Sequence, residues 1–227
     1  MRTIVFIGGL LLLTLSSCKK EVANGPVVVY SRSFLALGDS YTIGQGVQTS
    51  ERWPVQLQER LIALGLSVDS LNIIAQTGWT TANLQNAIDQ QELVGYDMVS
   101  LLIGVNNQFQ GLSIQQFQSE FDSLLAQAID FANGSENVFV VSIPDYGVTP
   151  FGASNSEFIA QEIDEYNAVI SDRCASEGVP FLDVTTISRV LGSSSGALAA
   201  DNLHPSGYQY QLWTEEILPI ALGILQD

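Results

Sequence analysis

Short apolar runs at residues 34–37, 71–74, 98–103, 138–143 and 181–184 alternate along this chain with longer amphipathic stretches. Each of the runs carries at most one polar residue, the pattern of strands buried on both faces rather than of a sheet with one wet side. The stretches 55–64, 81–91, 114–132 and 157–177 read as helices, and 208–225 reads as a last one. The third is the clearest, because Phe117, Phe121, Leu124, Leu125, Ala128 and Phe131 recur at three- and four-residue spacing. Strand–helix alternation of this kind predicts an α/β fold, a parallel sheet with helices on both sides joined by right-handed crossovers.

The N-terminus departs from that pattern. Met1-Arg2 gives a positive start, and Ile4 to Leu15 is apolar but too short to span a bilayer comfortably. Leu15-Ser16-Ser17-Cys18 then resembles the bacterial lipobox, in which the cysteine is lipidated and becomes the new N-terminus. The expected organisation is a lipoprotein signal peptide at 1–17, a lipidated tether at 18–29 and one domain at 30–227. Several acyl chains on Cys18 would anchor firmly, at about 0.8 kcal/mol per buried CH₂. The expected location is the bacterial cell envelope, outside the cytoplasm, with membrane contact through that anchor alone.

Charge narrows the partners. Lys19 and Lys20 are the only lysines, so the domain sets five arginines against twenty-three acids, a formal charge of −18. Such a surface repels phosphate backbones and anionic headgroups, which argues against nucleic-acid binding, and leaves a neutral substrate unhindered. With Cys18 lipidated, Cys174 has no disulfide partner and reads as a buried structural thiol. One histidine and no cysteine pair leave no zinc ligand set, and no metal or cofactor is expected.

That single histidine, His204, lies three residues after Asp201 in Asp201-Asn202-Leu203-His204-Pro205. Ser40 follows the first predicted strand, Gly78 the second, and Gly104-Val105-Asn106 the third. In open parallel sheets, sites form at the carboxyl ends of strands. A serine, a histidine with a pKa near working pH and an orienting carboxylate supply a nucleophile, a base and a brace for the base. Gly192-Ser193-Ser194-Ser195-Gly196 also fits the nucleophile-elbow pattern, but it has no strand before it and its histidine follows too closely.

Four blocks in order resemble the SGNH (GDSL-type) hydrolase family: Gly38-Asp39-Ser40, Gly78, Gly104-Val105-Asn106-Asn107 and Asp201-x-x-His204. Tyr41 stands where the family name has leucine, and Asn107 where the family usually has aspartate. An amide at 107 serves if that position only braces the loop. The resemblance implies a three-layer α/β/α sandwich around a five-stranded parallel sheet, flavodoxin-like in type. It implies serine-dependent hydrolysis of carboxylic esters through an acyl-enzyme, with Ser40, Asp201 and His204 catalytic. The oxyanion donors it implies are the backbone N–H groups of Ser40 and Gly78 and the side-chain amide of Asn106. Trp53, Trp79, Phe109, Tyr146 and Phe151 are aromatic candidates for an acyl or sugar pocket. With no insertion long enough for a lid, short acyl groups are expected, such as acetyl on carbohydrate. The alternatives are a lysophospholipase or thioesterase on longer chains and a catalytically silent glycan-binding lipoprotein.

Overall fold

The structure, a computed structural model, describes residues 31–226. The expected signal segment at 1–17, the expected lipidation site Cys18 and the expected tether at 18–29 lie outside the described residues. The chain opens with β1 (Arg32–Gly38), α1 (Ser40–Ile43), α2 (Trp53–Ala63), β2 (Val68–Ala75) and α3 (Thr81–Ile88). It continues through β3 (Met98–Leu102), α4 (Val105–Phe109), α5 (Ile114–Ala132) and β4 (Val138–Val141). It closes with α6 (Ser156–Glu177), β5 (Phe181–Leu182), α7 (Thr185–Leu191) and α8 (Gly207–Gln226).

The five strands form one parallel sheet in the order β2-β1-β3-β4-β5, and helices cover it to make the expected α/β/α sandwich. Helices α2 and α8 pack on each other, while α5 packs against both α3 and α6. The nearly continuous apolar runs have their cause here, since every residue of β3 and β4 is buried. Phe34 of β1 lies 6.3 Å from the rings of both Trp53 and Phe139. Trp53, a candidate pocket aromatic in the sequence, is therefore a fully buried core residue.

The fifth strand is shorter than the run 181–184 predicts. Ser142 Oγ accepts from the N–H of Val184 at 2.8 Å, and Asp183 Oδ1 accepts from the N–H of Thr185 at 2.7 Å. These side-chain acceptors take the donors that would have continued the ladder, so the chain turns into α7. Helices α4 and α7 are too short for helical periodicity to announce. Cys174 is buried and its thiol is pushed up to about 12 by burial, which keeps it unreactive at neutral pH.

At the end of β1 the chain makes a tight turn into α1. Asp39 caps it, its Oδ1 accepting from the Tyr41 N–H at 3.0 Å. Asp39 is wholly buried and its second oxygen has no partner among the described residues. Burial raises its pKa from 3.8 to about 7, against the lowering effect of the backbone hydrogen bonds. The folded protein thus holds a proton on Asp39 where the unfolded chain has already released it. Stability from this group is fully present below about pH 4 and declines as pH rises through about 7. Asp39→Asn keeps the capping oxygen but cannot ionise. It is expected to flatten that decline, by roughly 4 kcal/mol at most, in urea unfolding at pH 4, 6 and 8. A pH slope identical to that of the parent protein would refute the assignment.

Candidate active site

The sheet register sets the site. Gly38 at the end of β1 pairs with Ala75 of β2 on one side and with Leu102 of β3 on the other. Just beyond these three residues come Ser40, Gly78 and Asn106, and all three line one cavity of about 150 Å³. His204 lines the same cavity from the loop before α8, with Tyr41, Val105, Phe109, Tyr146, Phe151 and Leu203 as largely apolar wall.

Ser40 is the first residue of α1, so its backbone N–H is among those a helix leaves without an internal partner. Gly78 has φ +85, and the place a Cβ would occupy is empty of protein atoms. A side chain there would be strained and would fill the space in front of the N–H. Gly104 has φ +127, and a Cβ on it would meet Phe117 at 2.7 Å and Ile143 at 2.9 Å. Only glycine lets β3 turn sharply enough to launch α4. The side chain of Asn106, in α4, donates through Nδ2 to the Trp79 carbonyl at 2.9 Å. That bond fixes the amide plane and ties the Asn106 loop to the Gly78 loop.

The last loop is built around one carboxylate. Asp201 Oδ2 lies 2.7 Å from His204 Nδ1, and Oδ1 accepts from the N–H groups of Leu203 and His204, both at 3.0 Å. A bridge between Leu198 and Pro205 and the bond from Ala199 N–H to the His204 carbonyl at 2.8 Å close the loop. The Gly192–Gly196 segment lies at its base, where Ser206 Oγ donates to the Gly196 carbonyl at 2.5 Å. No strand leads into that segment, which confirms that it is not an elbow. Burial pushes the Asp201 pKa up, but the hydrogen bonds from the His204 ring and from two backbone N–H groups outweigh it and hold the carboxyl below its ordinary value. An ionised Asp201 accepts a hydrogen bond from the Nδ1–H of His204, which leaves Nε2 as the basic nitrogen of a residue only 8% exposed. The ring packs edge-on to Tyr41 at 5.6 Å.

Of the remaining aromatic candidates, Phe109, Tyr146 and Phe151 reach the cavity. Trp79 packs against the core and contributes its carbonyl. The sequence reading missed the bracing of Tyr146, whose hydroxyl donates to Gln108 Oε1 at 2.9 Å while Gln108 Nε2 donates to Glu162 at 2.7 Å. It also missed Glu120, which joins Asn107 and Thr81 behind the Gly78 and Asn106 loops. Neither glutamate has a local sequence signal, because each acts across more than ten residues. Among the described residues no three His, Cys, Asp or Glu side chains gather as a metal-ligand set. The arrangement can deprotonate a serine hydroxyl, provide donors for a developing oxyanion and return the proton to a leaving group.

Among curated proteins no sequence matches the chain. Solved structures of the same fold include a lipase/acylhydrolase from Enterococcus faecalis, at 21% identity and TM-score 0.68, covering 85% of this chain and 95% of that one. An acetyl xylan esterase matches at 16% identity and TM-score 0.65, covering 82% and 98%. A phospholipase A1 from Streptomyces albidoflavus matches at 20% identity and TM-score 0.60, covering 84% and 98%. Residues 36–212 match the family model described as GDSL-like Lipase/Acylhydrolase. Because that match runs from within β1 into α8 and takes in every loop that lines the cavity, the chain belongs to the GDSL-like lipase/acylhydrolase family.

Proposed function

We propose that this protein hydrolyses carboxylic esters through an acyl-enzyme on Ser40, with a short acyl group such as acetyl carried by a carbohydrate. His204 Nε2 takes the Ser40 proton as the hydroxyl attacks the ester carbonyl, and the imidazolium is stabilised by Asp201. The tetrahedral oxyanion lies among the N–H groups of Ser40 and Gly78 and the amide of Asn106. Collapse expels the alcohol, which leaves with the proton from His204. Water then repeats the sequence on the acyl-enzyme and releases the acid. The observation that carries this reading is that Ser40, His204 and all three oxyanion contributors line one small cavity, with His204 held by Asp201 at 2.7 Å.

The acyl length is argued from size. The cavity beside Ser40 is about 150 Å³, and beyond the Phe109, Tyr146 and Phe151 wall lies a larger depression of about 470 Å³. Phe109 and Phe151 stand 5.9 Å apart and are 57% and 54% exposed. Rings of this kind, beside the polar groups of Gln108, Asn155 and Glu162, suit the apolar face and hydroxyls of a neutral sugar. In this reading the acyl group occupies the inner cavity and the alcohol portion lies over the outer depression. Structures of this fold include both an acetyl xylan esterase and a phospholipase A1, so the fold accommodates either class and the lining decides. A second reading, hydrolysis of longer acyl esters, is favoured by Phe158, which is 61% exposed in the outer depression. On the lipobox reading, the enzyme works outside the cytoplasm, tethered through Cys18.

Ser40→Ala is expected to reduce turnover of p-nitrophenyl acetate to background, with the parent rate falling from acetate through butyrate to decanoate. A rate that rises with chain length would favour the second reading, and folded protein with no turnover on any ester would favour a glycan-binding role. Asn106→Ala is expected to lower kcat by about 10²–10³, the usual cost of one oxyanion donor. An unchanged kcat would remove Asn106 from the oxyanion hole. Phe151→Ala is expected to raise KM for an acetylated oligosaccharide about tenfold, the loss of one stacked ring, and to raise KM for p-nitrophenyl acetate by less, because its alcohol portion is smaller. Equal effects on both substrates would refute the outer site.

A further inference from the structure

Behind the oxyanion loops, three side chains form a hydrogen-bond chain in which every direction is fixed. Asn107 and Thr81 are wholly buried. The Thr81 N–H donates to Asn107 Oδ1 at 3.0 Å, which sets the orientation of the amide and turns its NH₂ toward the Thr81 hydroxyl, 2.6 Å away. Having accepted there, that hydroxyl donates its own proton onward to Glu120 Oε2, brought in by α5. Asn107 Nδ2 is also 3.5 Å from the same Glu120 oxygen, and Glu120 Oε1 accepts from Gln116 Nε2 at 2.8 Å. The far end of the chain must be an acceptor.

The chain spans the two loops that carry the oxyanion donors. Thr81 opens α3, three residues after Gly78, and Asn107 follows Asn106 in α4. The bond from Asn106 to the Trp79 carbonyl at 2.9 Å crosses the same gap one layer nearer the cavity. We propose that Glu120 is a positioning residue that works through Thr81 and Asn107 to hold the Gly78 and Asn106 loops together, so that their donors converge on one oxyanion. The proposal rests on the ester-hydrolase reading for its catalytic consequence, but the clamp itself is a property of the fold.

This arrangement admits a carboxylate at one end only. Asn107→Asp places a carboxylate oxygen where the amide NH₂ stood, facing Glu120 across a buried hydroxyl that has one proton to give. Glu120→Gln in that background restores a donor and so transposes the pair. The amide at 107 is thus part of a matched set with Glu120, and aspartate there is tolerated only when 120 changes as well.

Kinetics on p-nitrophenyl acetate and amide hydrogen exchange over residues 78–81 and 104–107 are to be measured on the parent protein, Asn107→Asp, Asn107→Asp/Glu120→Gln and Glu120→Ala. Asn107→Asp is expected to lose about ten- to a hundredfold in kcat with KM little changed, the cost of misplaced donors, and to speed exchange in both segments. The double variant is expected to return kcat to within a few-fold of the parent and to slow exchange again. Glu120→Ala, at a half-buried position, is expected to lower kcat in the same sense, and it carries the test if Asn107→Asp does not fold. Parental kcat in Asn107→Asp, or a double variant no better than the single one, would overturn the proposal. If the parent shows no Ser40-dependent turnover, the hydrolase reading fails instead. The exchange data then judge the clamp, and unchanged exchange in Asn107→Asp overturns it.

Discussion

Three neighbouring parallel strands end at the same level, and the site depends on that register. Gly38 pairs with Ala75 and with Leu102, so β1, β2 and β3 release the chain side by side, about 4.8 Å apart. The chain then has two to four residues in which to bring forward a backbone N–H or an amide. A slip of one residue in either pairing would turn a donor away from the cavity, because side chains and N–H groups alternate in direction along a strand. The buried segments of β1 and β3, covered on both faces, are what make such a slip costly. Burial of the sheet and alignment of Ser40, Gly78 and Asn106 on one cavity are the same constraint.

Two aspartates near the cavity show how surroundings assign different charge states to identical groups. Asp201 receives three hydrogen bonds and is held below its ordinary value, so it stays ionised beside His204. Asp39, one residue before Ser40, receives a bond from the Tyr41 N–H on one oxygen and has no partner for the other. Burial drives it to about 7. Desolvation of Asp39 therefore works against a permanent anion one residue before Ser40. The turn at Ser40 is thereby capped by a carboxyl that burial keeps partly protonated near neutral pH.

Much of this was legible in the sequence, because the informative features are local. Alternating apolar runs and amphipathic stretches give the sheet and its main helices, and a glycine, a lone histidine or an Asp-x-x-His step is visible within a few residues. What the sequence concealed is long-range. Trp53 precedes a helix and reads as a loop aromatic, yet Phe34 and Phe139, from distant parts of the chain, enclose it. Glu120 lies on a helix that reads as amphipathic scaffold, and its contact with Thr81 spans 39 residues. The early end of β5 is set by Ser142 acting on Val184 across 42 residues, which no window of local pattern contains.

Helix α4 shows why so much depends on so short an element. Successive residues of an α-helix point about 100° apart, so four in a row face four different quarters. Asn106 faces the Gly78 loop and the cavity, and Asn107 faces Thr81 and Glu120. Gln108 faces Tyr146 and Glu162, and Phe109 stands at the mouth against Phe151. One turn of backbone therefore joins the Asn106 amide, the Asn107 bonds behind it, the support of the aromatic wall and the rim of the outer depression. Gly104 is what allows that turn to start directly from β3, since any side chain there would strike Phe117 and Ile143. The Asn106 amide and the Phe109 ring at the mouth are therefore set by one and the same turn of backbone. On the hydrolase reading, binding energy gained at Phe109 and Phe151 is available to align the Asn106 amide.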